Sequence, residues 1–305
     1  MVAEAEPLQA ARLWSSKRTL ARTVEGGGTI SAGESLPGIG ATPERPRVVS
    51  VSRRTDVPAF YSRWFMNRVR AGFCEWVNPF GGRLQRVSLR PQDVAAFVFW
   101  TRNPSALFPY LRDLERRGFS FYFHFTINAY PPALEPSNPP PRLSIERFRA
   151  LSDRVGPERV FWRFDPILVG EAGGVEMDFE YHCRRFEKLA KALSGYTRRC
   201  YVSFVSLYRK TRYNLEKVSS RLGKGSAGPA GLPVEERRRL AGELAAIGAG
   251  FGMTLYSCCD DALVGAGTAP AQGGVQKARC VDPDVIRRLR PDVPFVLRPR
   301  PTRDQ

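Results

Sequence analysis

Short apolar runs of strand length alternate with amphipathic stretches along most of this chain. The clearest pattern covers residues 119–128, in which phenylalanine and isoleucine at odd positions alternate with Tyr122, His124, Thr126 and Asn128. Because neighbouring side chains of a strand point to opposite faces, this run predicts a strand with one apolar face and one polar face.

A second run, residues 158–168, has the same design. Trp162 and its apolar neighbours fall on one face, whereas Arg163 and Asp165 fall on the other, near a proline that cannot extend a ladder. In α/β barrels and open α/β sheets, chemistry is placed at the carboxyl-terminal ends of the strands. Arg163 and Asp165 are therefore candidates for the centre of a site.

Strands alternate with helices at least six times, which predicts a parallel sheet. The strands are expected at residues 47–52, 95–101, 119–128, 158–168, 199–207 and 253–258, and the helices at 59–70, 105–117, 144–155, 178–193, 234–249 and 283–289, with a β excursion at 73–89. Right-handed crossovers then place all the helices on one side if the sheet curls. A repeatedly polar face favours a partial or complete (β/α) barrel of about six parallel strands over an open doubly wound sheet.

Residues 1–45 are poor in aromatic residues and rich in Gly, Ala, Ser and Pro, so we expect a flexible, disordered leader before a single α/β barrel-like domain at 46–305. No apolar run is long enough to span a bilayer and no secretory signal is present, so we expect a cytoplasmic protein with no membrane partner. The six cysteines do not indicate a disulfide framework in that compartment.

The chain carries a net charge of +17, from 47 basic and 30 acidic residues. Such an excess is compatible with a nucleic-acid partner, since clustered cations release counterions from phosphates. It is also compatible with scattered arginines on solvated helix faces, as GC-rich coding produces. Charge alone leaves both interpretations open.

Polar residues at the predicted strand ends form one candidate site. We expect catalytic roles for His124, Arg163 and Asp165, and substrate or cofactor binding by Arg53, Arg54, Asp56, Trp100, Thr101, Asn103, Thr126, Asn128, Ser203, Tyr208 and Lys210. Each type also has a structural interpretation: a helix cap for Asp56, a turn for Asn103 and a buried ion pair for Arg163 with Asp165. The sequence contains no phosphate loop, nucleophile elbow or zinc-binding helix.

Cys258 ends the sixth predicted strand, and Cys280 lies beyond a Gly/Ala-rich loop that can fold back over it. These are the candidate metal ligands of the chain. Two thiolates are too few for a structural zinc or iron–sulfur site, which takes four protein ligands.

Several ordered motifs together resemble the bacterial domain-of-unknown-function family 1848. They are SRRTDVPAFY at 52–61, NPF at 78–80, FWTRNP at 99–104, HFT at 124–126, GPERVFWRFDPI at 156–167, SFVSLY at 203–208 and CVD at 280–282. The resemblance covers residue 47 to the end of the chain. It implies a radical S-adenosylmethionine-like iron–sulfur protein whose cluster-binding cysteines lie at the C-terminus.

Family members are expected to bind a [4Fe–4S] cluster and S-adenosylmethionine through a cysteine-rich tail that follows a stretch like Asp304-Gln305. The resemblance therefore implies that this sequence is truncated before its cluster, binds neither cofactor and is inactive in this form, with an unknown small-molecule substrate. It also suggests that Cys258 and Cys280 would join a Cys-x-Cys pair of that tail in a four-thiolate auxiliary site.

Two other functions stay open from the residues alone. One is a metal-independent lyase or hydrolase that uses His124 and Asp165 as acid and base, and it predicts activity without iron. The other is a basic nucleic-acid-binding or repair-associated module, and it predicts binding that weakens steeply with salt.

Overall fold

The computed structural model describes residues 46–51, 55–77, 82, 84–172, 175–205, 209, 213, 232–258, 260–267 and 274–293. All of them belong to one compact unit. The predicted leader at 1–45 and four predicted site residues, Arg53, Arg54, Tyr208 and Lys210, lie outside the described residues.

Eleven strands and seven α-helices occur in the described ranges. The strands are β1 (Arg47–Val51), β2 (Phe73–Val77), β3 (Leu84–Ser88), β4 (Val94–Thr101), β5 (Phe121–Thr126), β6 (Val160–Ile167), β7 (Gly170–Ala172), β8 (Val175–Met177), β9 (Arg199–Phe204), β10 (Thr254–Ser257) and β11 (Gln276–Lys277). The helices are α1 (Val57–Phe60), α2 (Ser62–Ala71), α3 (Leu111–Arg116), α4 (Pro141–Val155), α5 (Phe179–Leu193), α6 (Val234–Gly250) and α7 (Pro283–Leu289).

The main sheet has seven strands in the order β1-β4-β5-β6-β9-β10-β11, and every neighbouring pair is parallel. The order never reverses, so right-handed crossovers place the intervening helices on the same face. The predicted parallel α/β sheet is confirmed. Strands β1 and β11 form the two edges without pairing to each other in the described chain, so closure into a barrel stays a prediction.

Two local predictions were wrong. The helix expected at 105–117 is a 3₁₀ segment, Ser105–Tyr110, followed by the short α3, because Pro109 lacks an amide hydrogen for a regular α-helix. Strand β11 was missed, because two residues after a glycine-rich loop carry no periodic pattern.

No described helix has the length and apolar character needed to cross a membrane.

The helix-covered face of the sheet is apolar and largely aromatic, as the alternation predicts. Phe123 and Phe125 of β5 and Trp162 of β6 are fully buried there with residues of α2, α4, α5 and α6. Trp162 stacks on Phe186 of α5, with ring centroids 4.7 Å apart. This layer is the main core of the domain, since each buried aromatic side chain removes roughly 150–250 Å² from water.

The opposite face of the sheet is covered by residues 278–293, which include α7. Val285, Ile286 and Val293 pack against Tyr122, Tyr201 and other residues of this face. The expectation that every helix lies on the other side was therefore wrong for α7. The reason is that α7 follows the last strand and is not a crossover between parallel strands, so the handedness rule does not place it.

Polar contacts hold this covering segment in place. The backbone amide of Asp282 donates to the Tyr122 hydroxyl at 3.1 Å, and the Asp282 carboxylate accepts from Arg199 at 2.7 Å. The same carboxylate caps α7 by accepting from the amides of Asp284 and Val285. The segment thus lies against the face of the sheet on which the sequence predicts a ligand.

Candidate active site

A buried ion pair lies at the carboxyl-terminal end of the central strand β6. Arg163 and Asp165 share one face of the strand, and each is only 8% exposed. Arg163 Nε donates to both carboxylate oxygens at 3.0 Å, and Nη2 also pairs with Oδ2. Although burial alone lowers the pKa of Arg163, the Asp165 carboxylate raises it well above its ordinary value, so the guanidinium stays charged.

Aromatic rings and thiols complete the surroundings of the guanidinium. Its central carbon lies 5.1 Å from the ring centroid of Trp100 and 5.8 Å from that of Tyr201. Its Nη1 is 3.5 Å from the sulfur of Cys280, and its Nη2 is 3.9 Å from the sulfur of Cys258. The structure therefore brings both predicted cysteines to one cation, although they are 22 positions apart in the chain.

His124 is fully buried beside this cluster. Its Nε2 lies 2.7 Å from the carbonyl oxygen of Cys280, and a carbonyl can only accept, so Nε2 carries the hydrogen. Burial first, and then the positive charge of Arg163, lowers the pKa of His124 to about 3, so the ring is neutral near pH 7. Among the described contacts no hydrogen bond joins His124 to Asp165, and their predicted acid–base partnership stays a prediction.

A cavity of about 570 Å³ opens at the same edge of the sheet, above β5. Its wall includes the predicted binding residues Thr126 and Asn128, together with prolines of the segment 131–141. Asn128 Nδ2 donates to the backbone carbonyl of Asp165 at 2.9 Å, so the cavity wall is bonded directly to the strand of the ion pair. The Oδ1 atom of Asn128 is buried with no hydrogen-bond partner in the described structure.

Three charged residues line the cavity wall. Arg102 belongs to the polar group that the sequence places at the end of the second predicted strand, whereas Glu135 and Arg185 were not among the predicted site residues. Arg102 follows β4 and pairs with Glu135 at 2.7 Å. Glu135 lies in a proline-rich loop with no periodic signal, so no pattern identifies it. Arg185 could have been identified from the sequence. It lies four positions after Tyr181 and three after His182, on the buried side of α5 where an apolar residue is expected.

The remaining described candidates lie at the rim of the same edge. Asp56 accepts from the backbone amides of Ala59 and Arg102 and from the Thr101 hydroxyl, so it joins the end of β1 to the end of β4. Burial raises the pKa of Asp56. These contacts give Asp56 and Thr101 a structural role in addition to any role in binding.

Asn103, Trp100 and Ser203 also make identifiable contacts. Asn103 Oδ1 accepts from the amide of Ser105 at 3.3 Å, as expected for a turn. Trp100 Nε1 donates to the Ser50 hydroxyl at 3.0 Å, and the Ser203 hydroxyl donates to Asp165 at 3.4 Å. Ser203 and Trp100 therefore border the ion pair, whereas Asn103 shapes the loop after β4.

The iron–sulfur cluster that the resemblance implies needs four thiolate ligands. Within the described residues no three His, Cys, Asp or Glu side chains are grouped as metal ligands. The two thiols at Arg163 are half of the four thiolates that a [4Fe–4S] or structural zinc site takes. By themselves these residues do not fit the cluster.

The sequence profile of a known family, "Domain of unknown function (DUF1848)", matches residues 48–304. The chain belongs to the DUF1848 family. No curated protein matches it. The family membership confirms the resemblance drawn from the motifs, while the description of the family assigns no activity.

Similarity to solved structures is distant. A D-hydantoinase from a Bacillus sp. aligns at 13% identity over 77% of this chain and 45% of its own, with a TM-score of 0.30. A pneumococcal virulence factor, StrH, aligns at 8% identity over 80% of this chain and 62% of its own, with a TM-score of 0.29. This DUF1848 chain thus spans less than two thirds of either protein, and neither similarity bears on its function.

Proposed function

We propose that this protein is an enzyme that binds a small anionic molecule in the cavity at the carboxyl-terminal edge of its parallel sheet. The observation that carries the proposal is the position of that cavity. It adjoins the strand ends where α/β enzymes place their chemistry, and its wall is bonded to the strand of a buried ion pair.

The charges on the wall favour an anionic ligand. Arg102 and Arg185 both line the cavity, and Glu135 is the only carboxylate among the lining residues that the structure describes. Each guanidinium has five N–H donors, and Arg102 uses one of them in its bond to Glu135 while Arg185 donates to the carbonyl of Ala129. The remaining donors suit a carboxylate or phosphate group, and the proline wall suits a compact apolar body.

Arg163 and Asp165 have a positioning role in this proposal. Neither lines the cavity, and the guanidinium is held by the carboxylate, two rings and two thiols. The ion pair fixes the end of β6, and with it the backbone carbonyl of Asp165 that accepts a hydrogen bond from the side chain of Asn128. The unpartnered Oδ1 of Asn128 is then available to accept a hydrogen bond from the ligand after a small rotation.

The experiment is a thermal-shift and calorimetric screen of the purified chain against small carboxylates and phosphates. We expect at least one compound to raise the melting temperature, and Arg102→Gln to weaken its binding by tenfold or more, since charge-assisted hydrogen bonds are worth about 1.5–3 kcal/mol. Arg198→Gln is the matched control, because Arg198 also pairs with a glutamate, Glu158, but is exposed just before β9, at the opposite edge of the sheet. Equal affinity in both variants would place the ligand elsewhere.

The radical S-adenosylmethionine chemistry implied by the family resemblance is a finer proposal. The described thiols of Cys258 and Cys280 share one guanidinium, which supports a common site for them but supplies only two ligands. Anaerobic reconstitution with iron and sulfide tests the point: cluster absorbance that disappears in Cys258→Ala and Cys280→Ala would extend the proposed function to iron–sulfur chemistry.

A further inference from the structure

Most of the exposed apolar side chains of this protein lie in one short part of the chain. Of eight large hydrophobic residues exposed in the described structure, six fall between positions 60 and 84: Phe60, Tyr61, Trp64, Trp76, Val77 and Leu84. Phe60 is 73% exposed, Trp64 48% and Trp76 43%. A concentration of this kind on a soluble domain marks an interaction site.

These residues belong to α1, to Tyr61 after it, to α2 and to the β2–β3 hairpin, and this part of the protein is named here the aromatic–arginine face. Phe60 ends α1 and Trp64 lies in the first turn of α2, and Tyr61, with a non-helical φ of −132°, separates the two helices. Gly72, with a φ of 78°, turns the chain from α2 into β2, and Arg68 of α2 lies over the ring of Phe73, 5.9 Å from its centroid.

The two exposed tryptophans lie on either side of the turn at Gly72, one in the helix before it and one in the strand after it. Seven helical residues separate Trp64 from the end of α2, a rise of about 10 Å, and three strand residues separate Phe73 from Trp76, also about 10 Å. The face therefore carries exposed aromatic rings on both sides of this turn.

The charge of this region is strongly positive. Residues 46–93 contain nine arginines, no lysine and three carboxylates. Two of those carboxylates are turned away from the surface: Asp93 is buried and accepts from Ser88, and Asp56 accepts from the end of β4. The third, Glu75, faces Arg86 at 3.8 Å. Arg63 of α2 and Arg90, which follows the hairpin, are both exposed.

We propose that the aromatic–arginine face binds single-stranded nucleic acid. Exposed rings offer stacking platforms for unpaired bases, and the arginines between them neutralise phosphates. A second copy of the chain fits less well, because two such faces would bring like charges together. This activity is independent of the cavity, which lies above β5.

The test is fluorescence anisotropy of a labelled 20-nucleotide oligothymidylate titrated with the full chain at several salt concentrations. We expect Trp64→Ala and Trp76→Ala each to weaken binding about tenfold, and Arg63→Gln to lower the slope of log affinity against log salt by about 0.7. Tyr213→Ala and Arg142→Gln are matched controls, since both residues are exposed outside this face. They should leave affinity and slope within twofold of the parent.

Three outcomes would overturn the proposal. They are no binding of the oligonucleotide at low salt, equal binding of single-stranded and duplex DNA that the tryptophan variants do not change, and a dimer in sedimentation that Trp64→Ala converts to monomer. The last would identify the face as a contact between copies. Circular dichroism of each variant separates lost binding from lost folding, and Trp64→Phe, which keeps a ring, should retain most of the affinity.

Discussion

The two faces of the parallel sheet are both buried and both rich in aromatic residues, but they differ in charge. On the helix-covered face, Trp162 and Phe123 contact other apolar side chains. On the other face, rings such as Tyr201 share the buried space with His124, Arg163 and Asp165. Packing alone accounts for the first face. The second carries desolvated charges that are costly for stability, which is the pattern expected where a fold is adapted to chemistry.

The largest effect is expected from emptying the apolar face. Trp162→Ala removes a fully buried indole that stacks on Phe186, and it should lower the free energy of unfolding by about 3–5 kcal/mol. Urea denaturation followed by circular dichroism measures this. The exposed Tyr213→Ala is the control and should change stability by less than about 0.5 kcal/mol. A loss below 1 kcal/mol for Trp162→Ala would show that this face is not the main core.

On the polar face, single and double substitutions should behave differently. Arg163→Met leaves the buried Asp165 carboxylate without its cation and should cost about 3–4 kcal/mol. Arg163→Met combined with Asp165→Leu removes both charges and should recover much of that loss. If the double variant loses as much stability as the two single variants added together, the two side chains are not energetically coupled and the contrast between the faces disappears.

The sequence predicted the alternation of both faces because a period of two residues is a local property. Tyr122 and His124, and likewise Arg163 and Asp165, were assigned correctly to the face opposite the crossover helices. The cover over that face was not predicted. Its position depends on contacts between residues far apart in the chain, such as Arg199 with Asp282, which leave no periodic trace.

Parts of the candidate site were beyond prediction for a related reason. Thr126, the last residue of β5, and Asn128, two residues beyond it, were identified because they continue the polar alternation of the strand. Glu135 and the proline wall belong to an irregular loop whose path is set by packing. The meeting of Cys258 and Cys280 at Arg163 was expected only as a loop folding back, and the guanidinium between them was not foreseen.

The two histidines of the chain extend the comparison to pH. Burial lowers the pKa of His124, on the polar face, to about 3, and that of His182, on α5, to about 4, from an ordinary value of 6.5. Between the lowered pKa of each histidine and its ordinary value of 6.5, the unfolded chain binds more protons at that histidine than the folded chain does. The stability they contribute is complete above pH 6.5 and is lost as pH falls, by about 2 kcal/mol for each histidine at pH 5.

Urea denaturation between pH 7 and pH 5 measures this loss. His124→Gln and His182→Gln should each remove about half of the pH dependence, whatever they do to stability at pH 7. An unchanged slope in both variants would mean that neither ring is kept neutral by the fold.

The smallest effect concerns the segment that covers the polar face. Asp282→Ala removes the cap of α7 and leaves Arg199 without its carboxylate, and it should cost about 1–2 kcal/mol. Asp282→Asn keeps a capping oxygen and loses only the charge, so it should cost less. The control Asp284→Ala removes an exposed carboxylate of the same helix and should cost under about 0.5 kcal/mol. Thermal melts of the three variants measure these losses. Equal melting temperatures would mean that Asp282 does not anchor the covering segment. The apolar contacts of Val285 and Ile286 would then hold α7 against the sheet.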